Sequence, residues 1–240
     1  MQSCTVEPAD AHITNNRGET VILLHGLLRT GRSMDRMERS LISHGYQVVN
    51  VSYPSRELPI ERLAEDYLAN VVSTCCATSD SNINFVTHSI GGIVLRYYLK
   101  HHDLARLGRV VMLSPPNQGT GLVDRMKDDP FFKALNGPAG LQMGTGLDSL
   151  PLKLGAVDFQ VGVIAGTRAI NPILASMIPQ PNDGVIPVER TKVEGMDDFI
   201  TAPSSHTFIM MNKDVIAQVV HFLQHGNFQK EASADQVSLL

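Results

Sequence analysis

Asn82-Ile83-Asn84-Phe85-Val86-Thr87-His88-Ser89-Ile90-Gly91-Gly92 is the stretch on which the fold turns. Its first half is apolar and β-branched enough for a strand, and Ile90 through Leu99 continues as a helix, so the bend between them falls on Ser89. A serine at a sharp strand-to-helix bend has its hydroxyl lifted out of the sheet, provided that small residues beside it let the helix pass close to the strand. Gly91 meets that need two positions after Ser89. Two positions before it stands Thr87, where the G-x-S-x-G pattern has glycine, so the match is to x-H-S-x-G-G. Taken alone, the segment is also open to an ordinary strand-to-helix connection.

Outward from it, further apolar runs recur. Thr20-Val21-Ile22-Leu23-Leu24-His25 ends at Gly26 and suits a strand buried on both faces of a parallel sheet. Strands are also expected at Tyr46 to Val51, Ile83 to Thr87, Arg109 to Leu113, Val161 to Ala165 and, more weakly, Asp198 to Thr201. Between them, Met34, Met37 and Leu41 recur at helical spacing, as do Ile60, Leu63, Tyr67, Leu68, Val71 and Cys75 after the helix-starting Pro59. A last helix is expected from Lys213 to His225. The alternation predicts an α/β fold, a mostly parallel central sheet with helices on both faces, whose ligands bind at the carboxyl ends of the strands. At 240 residues, one domain spanning 1–240 is the expectation.

The rhythm breaks at 117–158, where only a polar helix-like piece near Leu122 to Leu135 and a Gly-rich segment around Asn136 to Gly146 are visible. Its apolar residues, among them Phe131, Phe132, Leu135, Leu141, Met143, Leu147 and Leu150, read either as core cover or as a small lid-like insertion over an apolar groove. Residues 226–240 turn polar and read as a loosely held tail.

A hydrophobic fraction of 43% and a charged fraction of 18% are globular values. A net charge of −4 and an isoelectric point near 6.1 supply no basic footprint for nucleic acid. The first residues show neither a positive start nor an apolar stretch, so a cytoplasmic location is expected, although a chain shorn of a leader would read alike. Cys4, Cys75 and Cys76 have no metal-binding or redox spacing and read as buried or idle thiols. No obligate protein partner is evident.

A serine hydroxyl is a weak nucleophile until a base takes its proton, and that base needs a carboxylate to fix its tautomer. Among nine histidines, His206 follows a late strand within the loop Ala202-Pro203-Ser204-Ser205-His206-Thr207, just ahead of the last helix. His25 reads as structural, His101 and His102 as the polar end of a helix, and His221 with His225 as a solvated face without a third metal ligand. For the acid, Asp183 lies in a turn-rich loop after the strand at Val161, although a plain Asn-Asp-Gly turn would also account for it. Asp158, Asp197 and Asp198 fall at the wrong end of the sheet. The order Ser89, Asp183, His206 is that of the α/β-hydrolase triad. Backbone N–H groups of Leu27, after the first strand, and Ile90, at a helix start, are positioned for an oxyanion hole.

Leu24-His25-Gly26-Leu27, Val86-Thr87-His88-Ser89-Ile90-Gly91-Gly92, Ser114-Pro115-Pro116-Asn117-Gln118-Gly119-Thr120, Asn182-Asp183-Gly184-Val185-Ile186-Pro187 and Ser205-His206 together resemble the α/β-hydrolase superfamily, particularly its small lipases and esterases. The resemblance implies a serine hydrolase cleaving carboxylic esters with Ser89, Asp183 and His206 and with Leu27 and Ile90 as oxyanion donors. It implies no cofactor and no metal, and it implies that the Ser114 to Thr120 loop borders the cleft. A small-molecule or lipid ester is the expected partner, with transient contact to a lipid surface allowed by the apolar insertion. Thioester, amide or acyl-transfer chemistry on the same triad, and a non-catalytic binding protein of this fold, are the alternatives.

Overall fold

Apolar runs too long for alternation become the strands of one sheet. The computed structural model describes residues 18–78, 80–171, 175, 176 and 178–230. Its strands are β1 (Thr20–Leu24), β2 (Gln47–Val51), β3 (Ile83–His88), β4 (Leu107–Leu113), β5 (Val161–Gly166) and β6 (Asp198–Ala202). They pair in the order β2-β1-β3-β4-β5-β6, every pair parallel. Among the described residues the sheet is thus parallel throughout, in keeping with the expected parallel α/β fold. Register aligns Leu24 with Val51 and Thr87, and His88 with Leu113, so the carboxyl ends of the inner strands share one edge. Loops that leave this edge converge on it.

Helices cover both faces because successive strand side chains point opposite ways. Ile22, Leu24, Phe85, Val110 and Met112 pack under α2 (Ile60–Leu63), α3 (Ala69–Thr78) and α4 (Ile90–His101). A π-helical turn at Ala64–Leu68 joins α2 to α3. Val21, Leu23, Val86, Val111 and Leu113 pack under α1 (Asp35–Ser43) and the carboxyl-terminal helix, Lys213–His225. Cys75 is buried and Cys76 is partly so, whereas Cys4 lies outside the described residues. Among the described residues no helix is long and apolar enough to cross a membrane.

The stretch without strands forms α5 (Gly121–Met126), α6 (Pro130–Leu141) and α7 (Leu150–Leu154). Its apolar residues divide: Phe132 and Met143 join the core, while Phe131, Leu135 and Leu147 face solvent. The buried Arg96 of α4 fastens this region to that helix. Its guanidinium donates to the carbonyls of Asn117, Pro151 and Gly155 and to Asn117 Oδ1. A short helix, α8 (Val188–Thr191), follows β5, and Lys213–His225 is accordingly α9. Residues 226–230, read as the start of a loose tail, are instead anchored: Phe228 is buried on Phe222, and its N–H donates to Asp198 at 2.8 Å. The rest of that tail, 231–240, lies outside the described residues.

Candidate active site

Ser89 sits between β3 and α4 at φ 54° and ψ −126°, a conformation that a side-chain-bearing residue rarely adopts. The bend is fastened by the Ser89 N–H, which donates to the Leu113 carbonyl at 2.9 Å. Two glycines let α4 pass. A Cβ on Gly91 would lie 2.7 Å from the Leu24 carbonyl oxygen, and one on Gly92 would lie 3.2 Å from Thr87 Oγ1. The second contact explains how threonine takes the place of the usual glycine: the room that Thr87 occupies is left by Gly92. Its hydroxyl is buried, with no hydrogen-bond partner among the described residues.

The three polar side chains expected to act together do meet, although their loops are far apart in sequence. His206 Nε2 lies 3.0 Å from Ser89 Oγ, and His206 Nδ1 lies 2.7 Å from Asp183 Oδ2. The His206 N–H also donates to the Asp183 carbonyl at 3.0 Å, so backbone as well as side chain ties the two loops. Asp183 divides its two oxygens between the turn and the histidine. Its Oδ1 accepts from the N–H groups of Val185 and Ile186, which is the turn chemistry of Asn-Asp-Gly, and this leaves Oδ2 aimed at His206. Burial pushes the Asp183 carboxyl up. The charge on His206 and hydrogen bonds from His206, the Ile186 N–H and the Ser114 hydroxyl together outweigh burial and hold it below the usual range.

Leu27 and Ile90 flank the serine. A Cβ on Gly26 would lie 3.0 Å from Ser89 Cβ, which puts the loop bearing Leu27 directly against the bend, and the first N–H groups of α4 have no acceptor within their own helix. His25 is structural: its ring stacks on Tyr53 at 4.0 Å, its Nδ1 donates to the Gly26 carbonyl, and its Nε2 accepts from the Tyr53 N–H. His101 ends α4 and His102 caps it. His221 Nδ1 donates to the Asn227 carbonyl, and among the described residues no three metal-ligating side chains converge.

Two residues escaped the sequence reading. Ser114, at φ 45° where β4 ends, is fully buried; its Oγ accepts from the Gly166 N–H at 3.1 Å and supports Asp183. His88, also buried, donates from Nε2 to the His206 carbonyl at 2.9 Å, and burial first, then the nearby His206, holds it well below the ordinary histidine range. The Ser-Pro-Pro that follows the fourth apolar run marked the first of these positions, but only as a loop border.

This fold has counterparts. The chain matches the alpha/beta hydrolase family over residues 21–218 and belongs to that family. In structure it is similar to the mature lipase BlEst2 of Bacillus licheniformis, with a TM-score of 0.73 and 16% identity over 89% of this chain and 96% of that one. It is also similar to lipase B of Aspergillus fumigatus, with a TM-score of 0.69 and 19% identity over 91% of this chain and 55% of that one. A metagenomic carboxyl esterase gives a TM-score of 0.67 and 20% identity over 85% and 69%. No curated protein matches the chain in sequence.

Proposed function

We propose that the chain is a serine hydrolase that cleaves carboxylic esters through an acyl-enzyme on Ser89, with His206 as base and Asp183 as acid. The observation that carries this reading is the unbroken relay from Ser89 Oγ through His206 to Asp183, at 3.0 and 2.7 Å, ending on a carboxylate only 2% exposed. With Asp183 fixing the proton on Nδ1, Nε2 of His206 is free to take the Ser89 proton. Ser89 Oγ then bonds to the ester carbonyl carbon, and the oxyanion rests on the N–H groups of Leu27 and Ile90. His206 passes its proton to the leaving alcohol as the C–O bond breaks. Water, deprotonated by the same nitrogen, attacks the acyl-enzyme and frees the acid and Ser89. Lipases and a carboxyl esterase among the structural neighbours favour an ester over an amide.

The test is labelling with a fluorophosphonate probe followed by mass spectrometry. Label is expected on Ser89 and lost in both Ser89→Ala and His206→Ala; each substitution should lower ester turnover by about 10⁶-fold. A folded protein that takes no label would overturn the reading.

A further inference from the structure

Three large apolar side chains that face solvent stand on the two loops carrying Leu27 and His206. Leu28 follows Leu27 directly and is 44% exposed; Phe208 and Met211, one helical turn apart just after His206, are 53% and 42% exposed. The loops are joined beneath them. Gly26 lies against the His88 ring, His88 holds the His206 carbonyl, and the Arg36 guanidinium donates to the Met211 carbonyl at 2.8 Å.

Beside the apolar residues, the stretch from Leu28 to Arg39 carries four arginines, Arg29, Arg32, Arg36 and Arg39, against two carboxylates, Asp35 and Glu38. All four arginines are exposed, and none forms an ion pair with a described residue. Glu38 is turned towards the side chain of Asn50, from which it accepts at 2.8 Å, and Asp35 stands in the first turn of α1, where the helix dipole favours it. A cationic band therefore borders an apolar rim at the mouth of the site, on a chain whose net charge is −4.

We propose that this face docks on an anionic lipid surface, the apolar side chains entering the acyl boundary while the arginines meet the headgroup phosphates. A second copy of the chain fits less well, because a two-fold contact would set arginines against arginines. A nucleic acid would leave the apolar rim without a partner. Docking in this way presents Ser89 to the surface in which lipid esters reside. The proposal deepens the hydrolase reading, but its test does not depend on turnover.

That test uses the full chain carrying Ser89→Ala, so that no lipid is consumed, and sedimentation with sucrose-loaded vesicles of phosphatidylcholine alone or mixed with phosphatidylglycerol. Binding is expected to the mixed vesicles and to weaken as salt is raised. Arg29→Gln combined with Arg32→Gln should weaken it by about tenfold or more, and Phe208→Ser should weaken it as well. Lys230→Gln, at the opposite edge of the sheet, should leave it unchanged. Thermal melts followed by circular dichroism check folding, and Met211→Ser replaces Phe208→Ser if the latter does not fold. Equal binding to both vesicle types, no binding, or indifference to the arginine substitutions would overturn the proposal. Any of these would leave the labelling of Ser89 untouched, so the two readings fail separately.

Discussion

Ser114 shows how the site is held at the scale of a single residue. Its one hydroxyl accepts from the Gly166 N–H and supports the Asp183 carboxylate, so it links the ends of β4 and β5 to the residue that orients His206. Ser114→Ala leaves the Gly166 N–H buried without its acceptor and should cost about 1–3 kcal/mol in urea melts. Loosening Asp183 should lower kcat several-fold with KM little changed, since Ser114 is fully buried and acts through Asp183; equal losses in Ser114→Ala and Ser114→Thr would point to packing alone. Asp183→Asn is the stronger change and should lower kcat by about 10⁴-fold, because it removes the acceptor that fixes the histidine tautomer. That Ser89, Asp183 and His206 would be brought together was legible in the sequence because each sits on a local signal: the bend at Ser89, the turn at Asp183, the loop before the last helix at His206. Ser114 and His88 were not, because what defines them is contact with partners 52 and 118 residues away, and no short pattern records such a distance.

At the scale of elements, the strands were read nearly to the residue because the inner strands β1, β3 and β5 are buried along their whole length and so carry short, nearly continuous apolar runs. The insertion was legible only as an interruption. A signal for α6 was nevertheless present: Asp129 ahead of Pro130, with the Asp129 carboxylate accepting from the Phe132 N–H at 2.7 Å. What the sequence did not disclose is how the region is attached, since the carbonyls that Arg96 meets lie 21 to 59 residues away. Arg96 is buried, and desolvation lowers its guanidinium to about 10 without reversing its charge near neutral pH. Arg96→Leu would leave the carbonyls of Asn117, Pro151 and Gly155 without their donor. We expect a loss of about 3 kcal/mol or more and faster proteolysis between residues 121 and 155, with cleavage mapped by mass spectrometry. Arg96→Lys should rescue only in part, because an ammonium cannot reach in a planar fork.

Across the whole molecule, two buried histidines weaken the fold as pH falls. Burial is the largest influence on both, and it lowers His25 and, further, His88, against the opposing pull of their backbone hydrogen bonds. In the unfolded chain each takes up a proton near about pH 6.5, whereas in the fold each resists it to lower pH. Between the folded and unfolded values the unfolded state therefore binds more protons, so stability rises with pH and is lost as pH falls. Each histidine contributes a slope of up to about 1.4 kcal/mol per pH unit. Asp183 acts in a separate, more acid window: its depressed carboxyl contributes stability above the unfolded value of about 3.9, which is lost as pH falls through the folded value. Urea melts at steps from about pH 8 down to pH 5 should show the first window, with His88→Gln removing part of the slope while lowering the plateau. A flat response there would require both rings to take up protons in the fold as readily as in the unfolded chain, and so to be charged at the acid end. That would contradict the bond in which His25 Nε2 accepts from the Tyr53 N–H while Nδ1 donates to Gly26, a pairing open only to the neutral ring.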